Sequence, residues 1–85
     1  TLGASIQGLP SMDRKQLKII AAEAFHCQNR LVELLDHIRP TSTSEDYELQ
    51  KQWIARAIYS IHENINLRVY EIEPELRDEI EAEAK

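Results

Sequence analysis

The 85-residue chain is poor in cysteine, glycine and aromatic residues, with one Cys, two Gly, one Phe and one Trp. A single cysteine excludes an intrachain disulfide and fits a reducing compartment. Both glycines, Gly3 and Gly8, precede the first helical pattern, which excludes a glycine-rich phosphate loop in the body of the chain. The longest purely apolar run is residues 19–22, far shorter than the ~20 residues that cross a bilayer. We therefore expect a cytoplasmic protein that does not enter a membrane.

The chain also lacks an excess of positive charge, since its net charge is −5. Residues 71–85 contain seven acids and two bases, whereas residues 1–70 contain eight of each. This balance argues against a general polyanion binder. The acidic end is either a solvated tail, a docking segment for a basic protein surface, or a nucleic-acid mimic.

A heptad pattern dominates the first half of the chain. Small or apolar residues recur at spacings of three and four: Leu17, Ile20, Ala24, Cys27, Leu31, Leu34 and Ile38. This spacing predicts a helix over about 12–38 whose buried seam contains all seven residues. We expect Ser11 to be its N-cap, with Asp13 in the first turn, and Pro40 to prevent its continuation.

A second helix is predicted over about 45–70, after a polar connection at 41–44. Either Ser42 with Glu45 or Thr43 with Asp46 could form a capping box at its start. The seam of this helix is predicted to contain Tyr47, Lys51, Ile54, Ile58, Ile61, Ile65, Arg68 and Ile72. Residues 65–72 alternate in a way that also suits a short strand, but the chain offers no second strand to pair with it. We therefore favour continued helix.

The predicted fold is all-α: an antiparallel helical hairpin of residues 12–72, preceded by an irregular arm of residues 1–11. Residues 73–85 are expected to form a short acidic helix that starts at Pro74, or else a frayed tail. In the helical case, Leu76 and Ile80 would lie on one side of it.

Both long helices carry more apolar surface than a single neighbouring helix can cover. The side chains predicted to contact a partner are Phe25, Val32, Leu49, Trp53 and Tyr59. A homodimer that completes a four-helix bundle would cover them, as would docking on a larger protein. The alternative is a monomer in which the short acidic helix folds back to give three helices.

The stretch 23–30, EAFHCQNR, groups reactive residue types without the geometry of a catalytic or metal site. Glu23 and His26 have the Glu-x-x-His spacing of di-iron bundles, but His26 points away from the predicted seam. Cys27 falls on that seam, so we expect a buried and unreactive thiol. The sequence thus predicts no enzyme activity, no cofactor and no metal.

The function favoured by the sequence is that of a small, non-enzymatic regulatory, adaptor or inhibitor protein that binds other proteins. The alternative is a nucleic-acid-associated regulator that uses a basic end of the hairpin. Its contacts would come from Arg14, Lys15, Lys18 and Arg68.

Overall fold

The computed structural model describes residues 12–84, and within this range the chain is helical and contains no strand. The elements in chain order are α1 (Arg14–Ile38), a 3-10 turn (Arg39–Thr41), α2 (Ser44–Ile61), a π-helical segment (His62–Asn66), α3 (Leu67–Ile72) and α4 (Glu75–Glu83). The π-helical segment joins α2 to α3 without a break, so these three form one second long helix. The predicted arm of residues 1–11 lies outside the described residues.

Side-chain caps fix where the two long helices begin. Asp13 is the N-cap of α1, and its carboxylate accepts a hydrogen bond from the Lys15 amide at 3.0 Å. The expectation that Asp13 would lie in the first turn was therefore wrong, and Ser11 lies outside the described residues. Thr43 caps α2 and accepts from the Asp46 amide at 3.1 Å, so Thr43, one of the two predicted candidates, is the N-cap.

Residues 65–72 are helical, as favoured from the sequence, because the second long helix continues through them to Ile72. Glu73 then leaves the helical conformation, and Pro74 precedes the short helix α4. Leu76 and Ile80 are both buried on one side of α4, as expected.

The buried side of α1 is rotated from the predicted seam. The buried and half-buried residues along the contact with the second long helix recur at spacings of three and four: Leu17, Ala21, Ala24, Gln28, Leu31, Leu35 and Ile38. Ile20, Cys27 and Leu34, which were expected in the seam, are exposed. Both sets keep heptad spacing, so the sequence pattern alone does not decide between them. Ala21 and Ala24 carry small side chains that let the neighbouring helix approach closely, which favours the observed rotation.

The second long helix confirms the central part of its predicted seam. Ile54, Ile58, Ile61 and Ile65 are all half-buried. Tyr47 and Ile72 at the two ends are half-buried as well. The prediction was wrong for Lys51 and Arg68, which are exposed while Gln50 and Val69 take their places. The charged side chains gain more from water than from the contact between helices.

The core lies at one end of the molecule, where α4 folds back against α1 and α3. Its buried side chains are Leu17, Ala21, Val69, Leu76 and Ile80. Ala22, Phe25, Tyr70 and Ile72 pack against this cluster and are partly buried. The best-packed part of the molecule therefore depends on the short acidic helix.

A buried asparagine connects the two long helices beside this core. The side chain of Asn66 is 1% exposed and lies at the last position of the π-helical segment. Its amide nitrogen donates to the Ala21 carbonyl at 3.0 Å and to the Tyr70 hydroxyl at 3.2 Å. Its oxygen accepts from the Gln28 side-chain amide at 2.7 Å. Every polar atom of this side chain has a partner, and the bonds fix the position of α1 along the second long helix.

We predict that Asn66→Ala lowers the free energy of unfolding by about 1 to 3 kcal/mol, because it leaves the half-buried Gln28 amide without its acceptor and opens a cavity. Chemical denaturation followed by circular dichroism measures the change. Asn64→Ala is the matched control, since Asn64 is exposed in the same segment and bonds only to Ser60. We expect this control to stay within about 0.5 kcal/mol of the parent protein. Equal effects of the two substitutions would contradict a special role for Asn66.

Candidate interaction surfaces

The molecule is long and thin, with Cα extents of 53 × 29 × 14 Å. A depth of 14 Å leaves room for at most two layers of helices, since packed helix axes lie about 8–10 Å apart. Many large apolar side chains consequently remain in contact with water: Met12, Ile19, Ile20, Val32, Leu34, Leu49, Trp53 and Tyr59. Exposed apolar side chains of this kind are candidates for association surfaces.

One flank of α1 carries an exposed apolar stripe. Ile20, Cys27 and Leu34 are seven residues apart, so they lie nearly in line along the helix. Ile20 is 46% and Leu34 is 41% exposed. We call these three residues the α1 stripe. A shallow groove beside its C-terminal half is lined by Cys27, Arg30, Leu31, Glu33, Leu34 and His37.

The opposite flank of α1 contains two of the predicted partner-binding residues, Phe25 and Val32. Phe25 is half-buried, because it packs against the core beneath α4. Val32 lies two turns further along the same flank, beyond the core cluster, and is exposed. Phe25 therefore contributes to the core of this chain as well as to its surface. The sequence pattern did not predict this contribution.

The other three predicted partner-binding residues lie on α2. Leu49 and Trp53 are four residues apart and share one flank, and Trp53 is 61% exposed. Tyr59 is equally exposed but lies about 120° away around the helix. A hydrogen bond with Glu63 raises the pKa of Tyr59, so its phenol stays protonated. The five residues therefore do not form one continuous patch on the helices.

The predicted nucleic-acid contacts are largely occupied by carboxylates of the same chain. Arg14 pairs with Glu79 and, at 3.8 Å, with Glu73. Lys18 pairs with Glu83 at 2.7 Å and with Glu79 at 3.4 Å.

Hydrogen bonds within these ion pairs also raise the pKa values of the two cations. The bond to Glu79 raises the pKa of Arg14, and the bond to Glu83 raises that of Lys18. Arg68 is paired locally with Glu71 at 3.2 Å, so Lys15 alone of the four predicted cations has no ion pair within the described residues. A phosphate would have to displace carboxylates to bind here, which weakens the case for a nucleic-acid surface.

The same ion pairs assign a structural role to part of the acidic end. Glu73, Glu79 and Glu83 face the basic start of α1, while Leu76 and Ile80 of the same segment enter the core. Seven of the fifteen Asp and Glu side chains lie in residues 71–83, and these three of the seven hold α4 in place. The sequence could have suggested this arrangement, because Arg14 and Lys18 share a flank of α1 at the end where a hairpin places residues after 70.

The reactive side chains of residues 23–30 do not converge on a chemical site. Glu23 and His26 are exposed, as expected. Cys27 is exposed too, so the prediction of a buried core thiol was wrong, because the observed seam places Gln28 inward in its place. Between residues 12 and 84, no group of three His, Cys, Asp or Glu side chains is arranged to hold a metal ion.

No protein-family model matches this chain, and comparisons with curated proteins and with solved structures give no significant match. Of the helices in the described part of the chain, none is both long and apolar enough to span a bilayer.

We predict that the attachment of α4 weakens in acid. The hydrogen bond from Arg14 lowers the pKa of Glu79 below its usual 4.5, so the ionised form of Glu79 stabilises the folded chain. This contribution is present above pH 4.5 and is lost as the pH falls through the lowered pKa of Glu79. Thermal melting over a pH series should therefore show that Glu79→Gln lowers stability at neutral pH and reduces the acid dependence.

The matched control is Glu81→Gln on the same helix, since Glu81 pairs only with Arg77 of α4 at 3.3 Å. It should change neither quantity appreciably. If Glu79→Gln and Glu81→Gln shift the melting curves equally at all pH values, the ion pairs across to α1 do not hold α4.

Proposed function

We propose that this protein is a non-enzymatic interaction module: an antiparallel helical hairpin that associates with a second copy of itself, or with a larger protein, through an uncovered apolar face. The observation that carries the proposal is the exposure of Trp53, Leu49 and the α1 stripe on a side of the helices that no other element of residues 12–84 covers. A regulatory, adaptor or inhibitor role fits a chain whose described residues form no catalytic or metal-binding cluster.

The order of contacts along the chain supports the antiparallel hairpin. Arg14 near the start of α1 contacts Glu73, and Gln28 in its middle contacts Asn66. Ser42 in the connection lies 2.9 Å from the Gln50 side-chain oxygen. In these contacts the residue number on the second long helix decreases as the residue number on the first side increases. This is the pattern of two helices that run in opposite directions.

Helix handedness then indicates which exposed residues share a face. In an antiparallel pair of helices, the residues that directly precede seam positions lie on one common face of the pair, whichever helix they belong to. Residues that directly follow seam positions lie on the opposite face. Ala22, Phe25 and Tyr70 follow Ala21, Ala24 and Val69, and all three pack around the core that α4 closes. This agreement supports the assignment of the two faces.

The face opposite α4 is the one that the described residues leave uncovered, and we call it the open face. It contains residues that precede seam positions: Ile20, Cys27 and Leu34 on α1, and Leu49 and Trp53 on α2. Phe25, Val32 and Tyr59 belong to the face that carries α4. The open face combines aliphatic side chains with a tryptophan, the composition that interface hot spots favour.

A four-helix bundle of two hairpins would place the two open faces against each other. In such a bundle, the core would contain both the observed seam of α1 and the α1 stripe. The seam and the stripe together include every residue of the heptad pattern that the sequence shows for α1. A single hairpin buries only some of these residues. The nucleic-acid alternative draws less support, since three of its four cations are already paired with carboxylates.

We predict that Leu49→Ala combined with Trp53→Ala raises the dissociation constant for association by about tenfold or more, because it removes the aromatic anchor of the open face. Size-exclusion chromatography with light scattering over a concentration series gives the mass, which for a dimer is twice 9.9 kDa. Tyr59→Ala is the matched control, since it removes an aromatic ring of the same 61% exposure from the other face. It should leave the association unchanged.

Helical circular dichroism should be preserved in all variants, because these side chains are largely exposed. A larger effect of Tyr59→Ala than of the double variant would place the interface on the face that carries α4. A protein that stays monomeric at every concentration would contradict self-association and leave only docking on another protein.

A further inference from the structure

We infer that the α1 stripe is a self-complementary surface, on which α1 of a second copy packs antiparallel with Cys27 of the two chains face to face. The inference rests on the proposed function and assigns its self-association to one helix and one geometry. The occupant is a second copy of this chain because the stripe and the charges beside it are arranged symmetrically about Cys27.

The apolar part of the surface has this symmetry in its spacing. Ile20 lies seven residues before Cys27, and Leu34 lies seven residues after it. A two-fold axis at Cys27 therefore places Ile20 of each chain opposite Leu34 of the other. A closed dimer needs only such a patch, because a two-fold axis matches a surface with itself. Cys27 also lies near the middle of Arg14–Ile38, so the two helices would overlap along most of their length.

Two charged residues beside the stripe are also placed almost symmetrically about Cys27, and their charges have opposite signs. Glu23 lies four residues before Cys27 and Arg30 three residues after it, on the same edge of the stripe. Both are exposed, and the ion pairs formed among residues 12–84 involve neither of them. The two-fold axis brings each Glu23 to the Arg30 of the other copy, which gives two ion pairs at the rim of one interface.

Other charges near the stripe do not oppose this packing. Glu33 lines the groove beside Leu34, and the two-fold axis places it level with Ala21 of the other copy. His37 is placed level with the apolar Leu17. In a parallel arrangement the edge that carries Glu23 and Arg30 would lie on opposite sides of the interface in the two copies, so these ion pairs would not form.

The exposed thiol gives a direct test of the geometry. A disulfide requires Cα atoms within about 7 Å, which antiparallel α1 helices centred on Cys27 provide and an α1 helix packed on α2 of the second copy does not. Copper phenanthroline serves as the oxidant that accepts the two electrons as two thiols lose their protons and join. We expect rapid formation of a covalent dimer on a non-reducing gel, and none for Cys27→Ser.

A displaced thiol controls for random collisions. Asn29→Cys combined with Cys27→Ser moves the thiol to an exposed position on the far side of α1 from the stripe. We expect this variant to cross-link slowly or not at all. Cross-linking at both positions at equal rates would overturn the inference.

Charge reversal tests the same geometry without oxidation. Glu23→Arg alone, or Arg30→Glu alone, sets like charges opposite each other and should raise the dissociation constant about fivefold in analytical ultracentrifugation. The double reversal restores opposite charges and should restore the affinity of the parent protein. Glu33→Arg should have a smaller effect than Glu23→Arg, since no cation faces it.

The outcomes separate this inference from the proposed function. A dimer that neither cross-links at Cys27 nor recovers affinity in the double reversal would overturn the α1 geometry while leaving self-association in place. A protein that is monomeric under all conditions would overturn the inference, and docking on another protein would then be tested by the Leu49 and Trp53 substitutions alone.

Discussion

Two helices that lie side by side touch along one line, and this limit governs the rest of the structure. The apolar arc of α1 extends from Ala21 and Gln28 in the contact line to Ile20, Cys27 and Leu34 beyond it. A neighbouring helix covers only part of an arc about half a circumference wide. One side of the pair gains further cover from α4, and the other side gains none from residues 12–84. The exposed apolar surface is thus a consequence of the number of helices, and it is the reason to expect a partner.

Two weak contributions, apolar contacts and ion pairs, together hold α4 against the long helices. Its buried side chains, Leu76 and Ile80, supply apolar contact with Leu17 and Val69. Carboxylates on both sides of them meet Arg14 and Lys18 at the start of α1. A helix of nine residues is marginal by itself, so its order depends on this docking. The acidic end accordingly serves the fold at least in part, and it shields cations that could otherwise attract phosphate.

Asn66 adds specificity at the centre of the contact between the long helices. Apolar side chains alone tolerate sliding by a turn, whereas the bonds of Asn66 to Ala21 and Gln28 exist in one alignment only. The π-helical segment that ends at Asn66 has a wider turn than an α-helix. The bonds of the buried amide thus specify an alignment of the two helices in addition to any net stabilisation.

The sequence by itself determined the helical class, the end of α1 before Pro40 and the placing of Leu76 and Ile80 on one side of the last helix, because these depend on local spacing and on the chemistry of single residues. The structure chose Thr43 over Ser42 as the cap of α2. Only the tertiary structure decided how far each helix is rotated about its axis. Cys27 and Gln28 both fit a heptad register, and the choice between them was made by contacts with residues some 40 positions away, Asn66 among them. The same distant contacts decided that Phe25 is half-buried and that the predicted partner-binding residues divide between two faces. Periodicity records how wide an apolar arc is, whereas packing decides which part of it faces inward.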